Sequence, residues 1–181
     1  MASRFDSLDK FLAALNPNDQ LGVCADQRSC YTGVFPTLTD IRQVYGGNSA
    51  EAWLAAEITD LAVFCGCREK MDADQVSRTA LLITDAYPYL KTSELMDFFR
   101  RFKLGMYGRF YGSVDPIIIT SALRSWMTDR ATFIQGFERQ DEDAKEAEER
   151  KHFKPTSQKR IKEILEHHPI LKQVMNNGKR D

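Results

Sequence analysis

At 181 residues the chain is long enough to bury a sizeable core as one domain with appendages, and its 43% hydrophobic and 28% charged content are those of a soluble globular protein. The net charge of −1 hides a segmental alternation of −5 over residues 1 to 90, +3 over 91 to 130, −4 over 131 to 150 and +5 over 151 to 181. Such alternation argues against a uniformly basic DNA-coating role and for contacts between segments or with a charged partner.

From the N-terminus, Phe5, Leu8, Phe11, Leu12 and Leu15 recur at helical spacing, with Asp6 as a cap and Asn16-Pro17 as a stop. This short helix either packs in the core or serves as a detachable docking peptide. Residues 18 to 38 show little periodicity and read as a loop covering a bundle. A short helix follows from Asp40 to Tyr45, ended by Gly46-Gly47. Asn48 with Glu51 forms a capping-box pattern ahead of Trp53, Leu54, Ile58, Leu61, Ala62 and Cys65, and Gly66 closes that helix. Asp72 with Gln75 repeats the pattern for a helix reaching Ala86, after which Pro88 forces Tyr87-Pro88-Tyr89-Leu90 off helical geometry.

The segment from Lys91 to Arg130 reads as two helices joined by an unusual turn. Leu95, Phe98, Phe99 and Phe102 mark the apolar face of the first, which Thr92 or Ser93 can cap and Gly105 can end. Asp115-Pro116 opens the second, because aspartate accepts from free amides and proline at the first helical position sacrifices no bonded N–H. Ile118, Ile119, Ala122, Leu123, Trp126 and Met127 form its buried stripe. Between them, Gly105, Gly108 and Gly112 alternate with Tyr107, Arg109, Phe110 and Tyr111, a composition suited to a compact turn of fixed shape. Arg100, Arg101, Lys103 and Arg109, with Tyr107 and Tyr111 alongside, could offer charge and stacking rings to phosphates and unstacked bases. The plainer alternative makes the rings core and the cations a solvated helix end.

Beyond Arg130 the pattern continues through Phe133, Ile134 and Phe137, then loses its apolar face in ERQDEDAKEAEERK. That stretch suits an exposed helix laced by pairs such as Asp141 with Lys145 and Glu146 with Arg150. Lys154-Pro155-Thr156 breaks it, and Ser157 starts a last amphipathic helix turning at His168-Pro169. The expected fold is all-α: a helical core over residues 1–137 and a charged helical extension with its tail over 138–181.

Chemistry-bearing patterns are sparse. Cys24, Cys30, Cys65 and Cys67 are spaced as C-x5-C and C-x-C, a poor match to zinc knuckles, and read as reduced thiols. His152, His167 and His168 read as surface residues. The acids Asp85, Asp97, Asp115 and Asp129 are scattered, no serine or cysteine is paired with a base, and the glycines lack a phosphate-loop order. No metal or cofactor is expected, and a non-enzymatic role follows. No apolar run approaches a membrane span and MASRFDSLDK lacks the core of a secretory signal, so a cytoplasmic chain without membrane contact is expected.

The succession Tyr87-Pro88-Tyr89-Leu90-Lys91, Leu95, Phe98-Phe99, Gly105-x-Tyr107-Gly108-Arg109-x-Tyr111, Asp115, Ile119 and a Trp126 to Arg130 ending resembles a family of small helical proteins of bacteriophages and bacterial mobile elements. It is more loosely similar to phage replication accessory proteins of the helicase-loader kind. The resemblance covers about residues 50 to 135, and Pro116 and the charged tail depart from it. The resemblance points to Gly105, Tyr107, Gly108, Arg109, Tyr111 and Asp115 and implies no established activity. Joined to the residues read above, it leads to the expectation of a non-enzymatic accessory protein of phage or mobile-element DNA replication that presents the Gly-Tyr-Arg turn to a replicative helicase or to single-stranded DNA. Arg100, Arg101, Lys103, Tyr107, Arg109 and Tyr111 would make the contact, and Gly105, Gly108, Gly112 and Asp115 would shape the turn. The rival expectation is a protein-binding adaptor or inhibitor that touches no nucleic acid.

Overall fold

The computed structural model describes residues 6–66, 71–108, 114–152 and 158–167, and helices carry the fold. They are α1 (Leu8–Ala14), α2 (Gln20–Val23), α3 (Gln27–Thr32), α4 (Leu38–Tyr45), α5 (Ser49–Phe64), α6 (Ala73–Ala86), α7 (Thr92–Lys103), α8 (Pro116–His152) and α9 (Gln158–His167). No strand occurs among the described residues beyond one isolated bridge between Thr37 and Lys91, and the protein is all-α. The chain divides into two units, Met1–Phe137 and Glu138–Asp181.

In the first unit the apolar spacing read from α5 is buried as Trp53, Leu54, Ile58 and Leu61, and α5 packs against α4, α6 and α7. Helix α7 is buried from Thr92 to Phe99 and again at Arg101 and Phe102, so it is enclosed on more than one face. Phe98 lies at its centre, with ring centroids 5.0 Å from Phe99, 5.9 Å from Phe102 and 5.8 Å from Trp126. Burying rings of this size stabilises by roughly 2–3 kcal/mol each, which makes α7 the mast of the unit.

Four helix starts differ from the sequence reading. Ser7, not Asp6, caps α1 by accepting from Lys10 N, while Asp6 instead pairs with Lys10 Nζ at 2.9 Å. Asn48 makes no side-chain cap to α5, its backbone standing at φ −97° and ψ 30° and not in the extended region that aims a capping side chain at the helix, and Glu51 pairs with Arg42 of α4. On α7 neither Thr92 nor Ser93 caps; Glu94 reaches back to accept from Lys91 N at 3.0 Å. The expected Asp72 and Gln75 box at α6 is present, with Gln75 N donating to Asp72 at 2.7 Å and Asp72 N donating to Gln75 at 3.0 Å. Helix α4 begins two residues earlier than expected, under a Thr37 and Asp40 box.

The largest departure is residues 18 to 38, expected as loop. They fold into a 3-10 turn at Pro17–Asp19, then α2 and α3. Elements of one or two turns are too short to show a helical period, and they hold by packing Cys24, Cys30 and Tyr31 against α7. A strap then fixes two helix starts: Leu38 N donates to Leu90 O at 3.0 Å, Thr39 N to Pro88 O at 3.0 Å and Thr92 N to Pro36 O at 2.9 Å. The Tyr87 to Leu90 segment, forced out of helix by its proline, thereby supplies the carbonyls that anchor α4.

In the second unit the continuation of α8 is exposed from residue 138 to residue 151, as a polar-all-round helix must be. Arg150 pairs with Glu146 at 3.0 Å and Lys151 with Glu148 at 3.2 Å.

Candidate functional site: buried ionic clusters on both ends of helix 7

Asp97, 1% exposed, stands one turn after Glu94 on the face of α7 that meets α3 and α8. Tyr31 Oη donates to its Oδ2 at 2.6 Å and Arg101 Nε to the same oxygen at 2.5 Å. Arg100 donates to Oδ1 through Nη2 at 2.6 Å and Nε at 3.2 Å. Burial pushes the carboxyl up, but the hydrogen bonds from Tyr31, Arg101 and Arg100 outweigh it and hold Asp97 below the ordinary aspartate value. The same burial and the Asp97 partner push the Tyr31 phenol well above its usual range. Arg101 is also stacked 4.6 Å from the Phe133 ring centroid.

Glu94, fully buried, completes this layer by accepting from Arg130 of α8 at 2.9 Å, while Lys91 Nζ donates to the carbonyls of Tyr31 and Gly33 at 2.9 Å each. The cluster therefore ties α3, α7 and α8 together through charge-assisted bonds.

A second cluster sits at the other end of α7. Lys103 Nζ is paired with Asp60 of α5 and donates to Gln20 Oε1 at 2.9 Å, and Gln20 Nε2 donates to Glu57 Oε2 at 2.5 Å. Glu57 is fully buried and its Oε1 has no hydrogen-bond partner among the described residues. Burial pushes its carboxyl up to about 7, against the lowering pull of Gln20 and Lys103.

Three of the cations expected at a nucleic-acid surface stand beside acids of the fold. Arg100, Arg101 and Lys103 have side-chain exposures of 26%, 10% and 15% and are each paired with an acid of the fold, Arg100 and Arg101 sharing Asp97 and Lys103 taking Asp60. Lys103 further stacks 5.6 Å from the Phe64 ring. Tyr107 is no outward stacking ring either: it is half-buried, 5.9 Å from the Phe98 ring, with its hydroxyl 3.3 Å from Asp129 Oδ2. Cations three and four residues apart from acids on a crowded helix find those acids first, since desolvated charges must be paired. Arg109, Tyr111 and Gly112 lie outside the described residues.

Gly105 and Gly108 do take the left-handed region, with φ of 76° and 112°. Asp115 caps α8 as expected, accepting from Ile118 N at 2.9 Å. On either side of Gly105 the chain displays Leu104 and Met106, 66% and 54% exposed.

Sequence reading missed Glu57, Gln20, Tyr31, Glu94 and Arg130 as members of a site. For Glu57 a signal was present, since it falls three and four residues after Leu54 and Trp53, inside the apolar stripe of its own helix. For Glu94, Asp97 and Arg101 the signal was a polar stripe at helical spacing beside the phenylalanines, which ordinarily means solvent.

A groove of about 410 Å³ between α5 and α6 is lined by Asn48, Glu51, Ala52, Ala55, Ser77, Arg78 and Leu81. Glu51 is paired with Arg42 through Oε1 while its buried Oε2 has no hydrogen-bond partner among the described residues, and Arg78 is paired with Asp74 at 2.8 Å. No cluster of three or more metal-ligating side chains occurs among the described residues, and none of their helices is long and apolar enough to cross a membrane.

A family model, described as a family of unknown function (DUF6633), matches residues 70–173. The chain belongs to that family. No curated protein and no solved structure matches it. The DUF6633 span takes in α6, α7, α8 and α9, and with them Glu94, Asp97, Arg100, Arg101 and Arg130. Tyr31, Gln20, Glu57 and Asp60 lie before it, so both clusters join residues of the family span to the segment preceding it.

Proposed function

We propose that this chain is a non-enzymatic protein-binding adaptor or inhibitor that makes no nucleic-acid contact through Arg100, Arg101 or Lys103. One observation carries the reading: these three cations are spent on Asp97 and Asp60, while the described part of the turn after α7 offers Leu104 and Met106 to solvent. Phosphate binding draws its affinity from cations free to displace counterions, whereas protein contacts draw on exposed apolar side chains held by rigid backbone. The resemblance to phage and mobile-element accessory proteins of the helicase-loader kind makes a replicative helicase the first partner to try.

The test has two arms. Titrating the protein against a fluorescent single-stranded oligonucleotide at low and high salt is expected to show no binding at either. Binding that weakens steeply with salt and drops on Arg100→Ala overturns the proposal. In the second arm the immobilised chain retains a purified replicative helicase and the Leu104→Asp/Met106→Asp variant releases it. Retention unchanged in that variant removes the turn from the interface.

A further inference from the structure

Cys24 and Cys30 form a pair of their own beside the first ionic cluster. Cys24 closes α2, Cys30 sits in α3, and their sulfurs are 3.8 Å apart in the core. Both face the start of α7, where Cys30 Sγ donates to Ser93 O at 3.1 Å and Cys24 Sγ lies 3.9 Å from the same oxygen. Ser93 Oγ in turn donates to Cys30 O at 2.7 Å.

The two thiols are not equivalent. The single Cys30 proton can turn from Ser93 O to Cys24 Sγ, where it lowers the Cys24 value, and the Arg100 guanidinium adds to this, against burial and the Asp97 charge. Cys30 is pushed up by that same hydrogen bond, by burial and by the surrounding charges of Asp97 and Glu94. Cys24 also keeps a sliver of exposure, 8%, where Cys30 has none. A sulfur that is the better anion and the more accessible, next to a second sulfur within van der Waals reach, has the layout of a nucleophile with its resolving thiol. A disulfide requires about 2.05 Å between sulfurs, so closure needs an approach of less than about 2 Å between side chains on two short helices.

We propose that Cys24 and Cys30 form a peroxide-reactive dithiol, with Cys24 as nucleophile and Cys30 as resolving residue, which closes to an intramolecular disulfide joining α2 to α3. The Cys24 thiolate attacks one oxygen of hydrogen peroxide, the O–O bond breaks, and the departing hydroxide takes a proton to leave as water. Cys30 Sγ then attacks the Cys24 sulfenic sulfur, an S–S bond forms, and the expelled hydroxide carries off the Cys30 proton as a second water. The two thiols lose two electrons and two protons, and peroxide is reduced to two waters. Closure removes the Cys30 donor from Ser93 O, so the oxidation state of the pair is felt at the N-terminus of α7.

Trypsin cleaves after Arg28 and so separates the two cysteines onto peptides 11–28 and 29–42, while Cys65 and Cys67 share the peptide 43–68. The folded chain is treated with hydrogen peroxide, remaining thiols are blocked with iodoacetamide, and the digest is weighed by mass spectrometry. The expected result is peptides 11–28 and 29–42 joined, at 2 Da below the sum of their thiol forms, and released by dithiothreitol. In Cys30→Ser, dimedone is expected to label Cys24; in Cys24→Ser, Cys30 is expected to stay unlabelled. Peptides 11–28 and 29–42 recovered unjoined and alkylated overturn the proposal. So does linkage that forms as fast in urea-unfolded protein as in the folded chain, and dimedone labelling at Cys30 in preference to Cys24 reverses the assigned roles.

Discussion

Replacing Glu57 by glutamine isolates the most consequential buried charge of the fold. The carboxyl is fully buried with one unpartnered oxygen, and its value stands at about 7 against an ordinary 4.5. A raised acid binds its proton more tightly in the folded chain, so its contribution to stability is complete below about 4.5 and is lost as pH rises through about 7. The gap corresponds to about 3 kcal/mol in all, of which about 2.5 kcal/mol falls between pH 5 and pH 8. Glutamine keeps the shape and can still accept from Gln20, yet never ionises. Urea unfolding of both proteins at half-unit pH steps should therefore show the difference in stability between Glu57→Gln and the parent growing by about 2.5 kcal/mol, roughly 5–10 °C in Tm, from pH 5 to pH 8. Parallel pH profiles for the two proteins would refute the argument, because they would mean that Glu57 is ionised in the folded chain at no cost.

Five further substitutions bear on the buried cluster and on two glycines. Asp97→Ala should destabilise by about 3–5 kcal/mol in denaturant unfolding, because it leaves Arg101 buried without its anion, while Tyr31→Phe should cost about 1–3 kcal/mol. Asp97 is held below its ordinary value, so its contribution is present above the unfolded value and lost as pH falls through the lower one; Asp97→Asn should accordingly flatten the acid limb of stability below pH 4. Gly105→Ala should cost about 1–2 kcal/mol by thermal melting, through its φ of 76° alone, as an added Cβ meets no atom within 4 Å. Gly22→Ala, in α2 and equally free of neighbours, should instead stabilise by about 0.5–1 kcal/mol.

The sequence by itself determined the helical class and the longer helices. Apolar residues at three- and four-residue spacing in α5, α7 and the first part of α8 admit one periodic structure, and the Asp72 and Asp115 caps operate through neighbours three residues away. Such signals are local, so they survive without knowledge of the fold. Tertiary structure decided where each charge went. Arg100, Arg101 and Lys103 carry the same helical spacing whether they face water or an acid, and only the arrival of Tyr31, Gln20 and Asp60 from distant sequence makes their position interior. The same holds for α2 and α3, whose turns are too brief to declare themselves and exist because α7 offers a surface on which Cys24, Cys30 and Tyr31 can be buried. Local periodicity fixes which face of a rod is apolar. Which polar groups lose their water depends on what is packed against the remaining faces, and that is a long-range property of the chain.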